Sequence, residues 1–223
     1  MKIKFLFMFL CALLVSASVP FVSAAPVEMY RFQGSQSFLM SNEWISDGLL
    51  RSTLIILQKP TVKGGVASGS IIVHVAEYQY GSESEEGRTT FSATAFGQLS
   101  SESFTLDQNL STASVTNVVL NGQKVIIDED GQGTFAPAQF TVSFALDSGA
   151  EKIENTVWQD SYDFGCLVYR FSSVQQQKNT TPVVLSLLID GSEMFNGSEV
   201  VNAWIARTLN MFILRTTKDE CSF

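Results

Sequence analysis

The chain has 223 residues, with 22 acidic and 14 basic side chains, one histidine and three cysteines. Charged residues make up 16% of it, against roughly 25% in an average globular chain, while 45% are hydrophobic and 17 are Phe. This composition excludes intrinsic disorder and predicts a folded core rich in phenylalanine.

Residues 1–24 have the pattern of a secretory signal peptide. Lys2 and Lys4 precede an apolar run from Phe5 to Val15, and Val22-Ser23-Ala24 places small residues where a signal peptidase cleaves. We therefore expect cleavage before Ala25. An uncleaved N-terminal anchor is the alternative, although the apolar stretch is short for a membrane span.

Residues 25–223 would then form the mature protein, which we predict to be a single domain. The signal carries two lysines and no acid, so its loss changes the net charge from −8 to −10. A surface this acidic repels phosphate backbones, which argues against a nucleic-acid partner. No later apolar run is long enough to insert into a membrane. We expect a secreted, extracellular protein, or a periplasmic one if the source is Gram-negative.

Cysteine usage agrees with export. Removal of the signal leaves Cys166 and Cys221, an even number in an oxidising compartment. A disulfide between them would close a loop of about 55 residues and stabilise the fold by roughly 4 kcal/mol. In Gly165 to Ser173, Leu167, Tyr169 and Phe171 form the stronger apolar face, so Cys166 points to the less buried side. A bridge there would hold the C-terminal tail against the fold. Two free thiols are the alternative.

The dominant period of hydrophobicity along the mature chain is two, which is typical of half-buried strands. In Gln139 to Leu146, for example, four apolar residues share one face and polar residues share the other. The predicted strands are, in chain order, Val27–Gln33, Gln36–Ile45, Leu49–Gln58, Ser70–Tyr80, Phe91–Leu99, Ser111–Leu120, Gln123–Asp128, Gln139–Leu146, Thr156–Asp160, Gly165–Ser173, Pro182–Asp190, Val200–Arg207 and Asn210–Thr216.

Turn residues separate these strands. The pairs Asp47-Gly48, Asp130-Gly131 and Asp190-Gly191 all favour turns, and Asn121-Gly122 is the strongest two-residue hairpin signal. Asn179 to Pro182 reads as an exposed loop, as do Gly81 to Gly87 and Gly191 to Ser198. Together these patterns predict an all-β fold: a single antiparallel β-sandwich, jelly-roll-like, of about ten to twelve strands.

Helix is an alternative in one longer segment. Glu199 to Leu209 places Val200, Trp204 and Ile205 at helical spacing. The β-branched residues there, and the adjacent apolar run from Asn210, favour a terminal hairpin of two strands instead.

His74 is the only histidine, and it lies in a predicted strand. Any serine or cysteine nucleophile that depends on imidazole would have to use this one ring. A zinc site would need more nitrogen or thiolate ligands than one histidine and two distant cysteines supply. We therefore predict no catalytic residue and no cofactor.

Asp128 and Asp130 lie beside Gly131 in a run that partly resembles a calcium loop. The full alternation of aspartates and the terminal bidentate glutamate are missing. A solvated acidic hairpin is the favoured interpretation, and a calcium site with Asp128 and Asp130 as ligands is the alternative.

Trp158, Asp160, Tyr162 and Asp163 combine aromatic side chains with carboxylates, as sugar-binding surfaces do. They are the candidate binding residues, although the same residues would also suit a loop between strands. A paired-carboxylate glycosidase using Asp160 or Asp163 is a further alternative.

Three segments carry a family resemblance: Phe32 to Ser37 ahead of Asp47-Gly48, then Val75 to Tyr80, then Phe104 to Val115. Their order resembles a group of uncharacterised exported bacterial β-proteins. The resemblance implies an all-β fold and carries over no activity and no catalytic residues.

The sequence therefore predicts an exported, non-enzymatic binding or surface-interaction module, with an extracellular glycan or a cell-surface protein as its partner. The alternative is a secreted carbohydrate-binding protein or carbohydrate-active hydrolase.

Overall fold

The computed structural model describes residues 27–61, 68–81, 87–163, 167–195 and 200–216. Within these ranges the chain forms strands and turns, and it contains no helix. The strands are β1 (Val27–Ser46), β2 (Leu49–Pro60), β3 (Gly69–Gln79), β4 (Arg88–Leu99), β5 (Phe104–Leu106), β6 (Thr112–Ile127), β7 (Gly133–Asp147), β8 (Glu154–Asp163), β9 (Leu167–Ile189), β10 (Ser192–Glu193) and β11 (Val200–Thr216).

The eleven strands of the described residues belong to one antiparallel sheet, which confirms the prediction of an all-β, sandwich-like fold. Its strand order is β10-β9-β11-β1-β2-β3-β4-β6-β5, with β8 added beside β9. Because β7 pairs with both β6 and β9, the path β1-β2-β3-β4-β6-β7-β9-β11 returns to β1 and closes. The eight strands of this closed path therefore have neighbours on both sides.

The core lies on one face of these strands. In β3, Ile71, Val73 and Val75 have no exposed surface, and Val73 is directly opposite the buried Ile55 of β2 and Ala95 of β4. The inward row of β7 continues the same cluster, with Phe140 and Phe144 at 0% and 1% exposure. The period-two pattern of the sequence thus identifies the side of each strand that is hidden from water.

The hairpin predicted at Asn121-Gly122 is wrong, because β6 continues through it as one strand. The glycine is required by close packing instead of by a turn. A Cβ on Gly122 would lie 2.2 Å from the carbonyl oxygen of Thr94 and 2.8 Å from the ring of Phe140. Glycine inside a strand often marks such a close approach of neighbouring chain.

The exposed loop predicted at Asn179 to Pro182 is also wrong, since it lies inside the long strand β9. Proline is tolerated here because the register with β7 shifts beside it: Val184 is opposite Ala145, and Pro182 is opposite Leu146. The intervening Val183 forms a bulge, one of the places where a sheet accommodates proline.

Two other predicted interruptions between strands are absent. The segments predicted on either side of Gly34 form the single strand β1, and the predicted C-terminal hairpin is the single strand β11. The strand interpretation of residues 199–209 is confirmed from Val200 onward, against the helix alternative. This strand departs from strict alternation, because the consecutive residues Ile205 and Ala206 are both buried.

The predicted aspartate–glycine turns are confirmed. Gly48 connects β1 to β2 with a φ of 76°, and Gly131 lies between β6 and β7 with a φ of 78°. Asp190 and Gly191 both have positive φ, at 51° and 81°, and connect β9 to β10. Two positive φ values in succession suit the twist of antiparallel strands.

The chain divides into two compact units. The larger comprises Arg31–Asp160 and Phe171–Met211 and holds the core cluster. The described parts of the smaller unit are residues 27–30, 161–163, 167–170 and 212–216.

Candidate functional site

Strand β8 differs from the other long strands in its exposure. Every residue from Glu154 to Ser161 is exposed except Thr156, which is partly buried. A strand packed on a core alternates between buried and exposed residues, whereas here both faces are in contact with water. β8 therefore contributes little to the core.

Large apolar side chains nevertheless lie on β8 and just before it. The exposed fractions are 53% for Ile153, 61% for Val157 and 55% for Trp158. Apolar side chains exposed on both faces of one strand are available for contact with a partner.

Two of the four predicted binding residues lie on the same face of β8. Trp158 and Asp160 are two residues apart on β8, so their side chains point to the same side of the strand, and both are exposed. Glu154 shares that side, while Val157 points to the other. An exposed aromatic ring is thus the same-face neighbour of the Asp160 carboxylate.

Tyr162 and Asp163 occupy the end of β8. Their side chains lie outside the described residues, so Trp158 and Asp160 are the part of the predicted site that the structure describes. The predicted Cys166–Cys221 bridge and the predicted signal peptide also lie outside the described residues and stay predictions.

The backbone of β8 pairs with β9, and within the described part of the chain no other strand pairs with it. β8 is therefore an edge strand. One row of backbone N–H and C=O groups on such an edge faces away from the sheet and can pair with an additional strand.

The candidate calcium residues form a turn. The carboxylate Oδ1 of Asp128 accepts the backbone N–H of Gln132 at 2.8 Å, and Arg88 donates to the carbonyl oxygen of Asp128 at 2.7 Å. Asp130 is exposed at the tip. In the described ranges, no group of three or more histidine, cysteine, aspartate or glutamate side chains is arranged to hold a metal ion.

His74 is partly buried. Its Nδ1 lies 2.8 Å from the hydroxyl of Thr94, on the strand next to it. Burial lowers the pKa of His74 below its ordinary value of 6.5. The residues directly opposite it are Leu54 and Thr94. Neither is a serine or a cysteine, the nucleophiles of most catalytic triads.

Sequence reasoning missed a row of charged residues on the core face. Glu43, Arg51 and Glu77 are directly opposite one another on β1, β2 and β3. Arg51 donates to Glu77 from two nitrogens, and Glu43 is 6% exposed. The signal was present in the alternation, because Glu77 falls on the same face as the apolar Val73 and Val75.

A shallow depression of about 350 Å³ lies where β6 and β7 meet the Asp190 turn. Backbone N–H donation from Gln139, followed by the hydrogen bond from Lys124, lowers the pKa of Asp190. Both oxygens of this carboxylate are thus engaged in holding the turn to the sheet. The depression is lined by Asn121, Gly122, Pro137, Ala138, Gln139 and Asp190.

In the described ranges, the structure contains no helix with the length and hydropathy to cross a membrane. No protein-family model matches the sequence, and the search of curated proteins finds no significant match.

Proposed function

We propose that this protein is an exported, non-enzymatic binding module whose interaction surface is the edge strand β8. The observation that carries the proposal is the exposure of Val157 and Trp158 on opposite faces of β8, whose described side chains from Glu154 to Ser161 are almost all exposed. Apolar side chains in this position do not contribute to the core, and they become buried when a partner covers them.

The groups on this surface are better suited to binding than to catalysis. General acid–base catalysis needs a titratable group held in a site that excludes water and tunes its pKa. Asp160 is exposed on an edge strand instead. Trp158 beside Asp160 is better suited to binding, where a flat ring provides contact area and a carboxylate accepts hydrogen bonds.

The same pair supports a second candidate, a secreted carbohydrate-binding protein or carbohydrate-active hydrolase. Sugar rings stack on exposed aromatic faces, and carboxylates accept hydrogen bonds from hydroxyl groups. Trp158 and Asp160 are the described residues that would make these contacts.

The test compares two exposed tryptophans. Trp158→Ala should abolish binding of the purified protein to the glycans or cell-surface proteins that the wild type binds. Trp44→Ala is the matched control, because Trp44 is 61% exposed on β1 and packs at 5.5 Å from Tyr80. Equal binding by wild type and Trp158→Ala would reject β8 as the surface.

The hydrolase alternative has its own readout. Reducing ends released from a polysaccharide panel by the wild type, and not by Asp160→Asn or Asp163→Asn, would replace the non-enzymatic proposal. Unchanged polysaccharides in every sample, together with loss of binding in Trp158→Ala, would support the binding module.

Export is tested separately. Mass spectrometry of protein recovered outside the cytoplasm should find Ala25 as the N-terminal residue. A retained Met1 in protein from the same fraction would contradict cleavage.

A further inference from the structure

This inference rests on the proposed function and names the kind of partner that β8 takes. β8 pairs with β9, and no other described strand occupies its second edge. Its length, Glu154–Asp163, is enough to pair with a partner strand along several residues. Exposed edges bind extended segments by adding them as a further strand of the sheet.

The charged residues of β8 are all acidic. β8 contains three acidic residues, Glu154, Asp160 and Asp163, and no basic residue. Ahead of it, Asp147, Glu151 and the single basic residue Lys152 are exposed as well, so the charge of this edge remains acidic. Like charges that face each other across a strand pair are destabilising, so a second copy of this edge is a poor partner. A segment carrying lysine or arginine is complementary to it.

Trp158 is an aromatic neighbour of one of these carboxylates. Trp158 lies two residues from Asp160 on the same face, and both are exposed. A lysine or arginine from an added strand can lay its apolar stem along the indole ring and place its charge at the carboxylate. The opposite face of β8 presents Val157, which suits an alternating apolar residue.

From these three observations we propose that the edge of β8 that no described strand occupies binds an extended basic segment of a partner protein by strand addition. Basic side chains of the segment face Trp158 and Asp160, and its alternate residues pack on Val157. Backbone hydrogen bonds supply affinity without sequence preference, and the aromatic and acidic side chains select basic residues.

The experiment titrates the purified protein calorimetrically with a short peptide that alternates lysine and valine. We expect saturable binding that weakens as salt is added, because exposed charges are screened. A glutamate–valine peptide of the same length should not bind. The lysine–valine peptide with N-methyl groups on alternate amides should also fail, because it keeps every side chain and loses one row of hydrogen-bond donors.

Variants of the protein test the position. Asp160→Lys replaces an attraction with a repulsion and should weaken binding of the lysine–valine peptide about tenfold. Glu102→Lys makes the same charge change at an exposed turn residue outside β8 and should leave affinity unchanged. Circular dichroism and a thermal melt confirm that both variants are folded.

Four results would overturn the proposal. Equal binding of the N-methylated peptide would show attraction to a charged surface without strand addition. Equal weakening by Asp160→Lys and Glu102→Lys would show that overall charge is responsible. Concentration-dependent self-association that Asp160→Lys abolishes would identify a second copy as the occupant. Loss of glycan binding in Trp158→Ala, without any peptide binding, would reject the basic partner and leave the proposed function standing.

Discussion

Arg51 donates to one carboxylate oxygen of Glu77 from two nitrogens, Nε at 2.9 Å and Nη2 at 2.7 Å. Its remaining nitrogen, Nη1, reaches the carbonyl oxygen of Met194 at 3.3 Å. The two side chains are directly opposite each other on β2 and β3 and are only 14% and 19% exposed. The guanidinium therefore links two strands to the segment that follows β10.

Glu77→Gln should destabilise the protein by about 2 kcal/mol, because it leaves a partly buried guanidinium without its charged acceptor. Chemical denaturation with urea measures the difference. The control is Glu102→Gln, which removes an exposed carboxylate and should change stability by less than about 0.5 kcal/mol. Equal stability of the two variants would contradict a structural role for the pair.

Two phenylalanines on β7 test the assignment of its faces. Phe140 is fully buried and Phe135 is 73% exposed. Phe140→Ala should cost about 3 to 5 kcal/mol, because it removes buried apolar area and leaves a cavity. Phe135→Ala should change the free energy of unfolding by no more than about 0.5 kcal/mol. Similar losses from both substitutions would mean that the strand does not alternate in this way.

Gly122 provides a test of the continuous strand β6. Gly122→Ala places a methyl group where Thr94 and Phe140 already lie, and overpacking of this kind costs about 1 to 3 kcal/mol. Gly133→Ala is the matched control, because its nearest neighbour is a Val125 methyl at 3.1 Å. A melting temperature that falls in Gly122→Ala and holds in Gly133→Ala is the expected result. Tolerance of alanine at residue 122 would argue against the close approach.

The stability of the protein should depend on pH through His74. Burial lowers its pKa in the folded state below 6.5, so protonation favours the unfolded chain. The contribution is favourable above pH 6.5 and is lost as the pH falls from that value through the folded-state pKa. His74→Gln keeps a polar group near Thr94 and does not titrate.

Thermal melts at about pH 8 and about pH 5 measure this effect. The wild type should lose more stability between the two conditions than His74→Gln does. An identical loss in both proteins would assign the pH dependence to other groups.

Calcium should leave the melting temperature unchanged. A ligand that binds only the folded state raises apparent stability by mass action. The Asp128 carboxylate already accepts the N–H of Gln132, and this hydrogen bond holds the turn. Calorimetric titration with calcium checks the expectation. Heat release that disappears in both Asp128→Asn and Asp130→Asn would establish the calcium loop instead.

The alternation of side chains was sufficient to predict much of this fold. The inward row of β7, the turns at Gly48, Gly131 and Asp190, and the strand character of residues from Val200 all follow from local patterns. These features are local because a strand's two faces and a turn's positive φ depend on residues close in sequence.

Local patterns failed at Gly122 and Pro182. Glycine and proline are common in turns. The local sequence does not show that these two residues lie inside strands, at positions set by packing or register with another strand. Gly122 is packed against β4 and β7, and Pro182 lies at a shift in register with β7. Such constraints come from pairings between residues far apart in the chain.

For the candidate site, the sequence by itself identified Trp158 and Asp160 as a pair of aromatic and acidic residues on a predicted strand. Only the tertiary structure decided that this strand is an edge with both faces in water, and that Arg51 and Glu77 meet on the core side. The chemistry of each side chain is known from the sequence, whereas its exposure and its contacts depend on which strands become neighbours. That choice is made by the packing of the whole sheet.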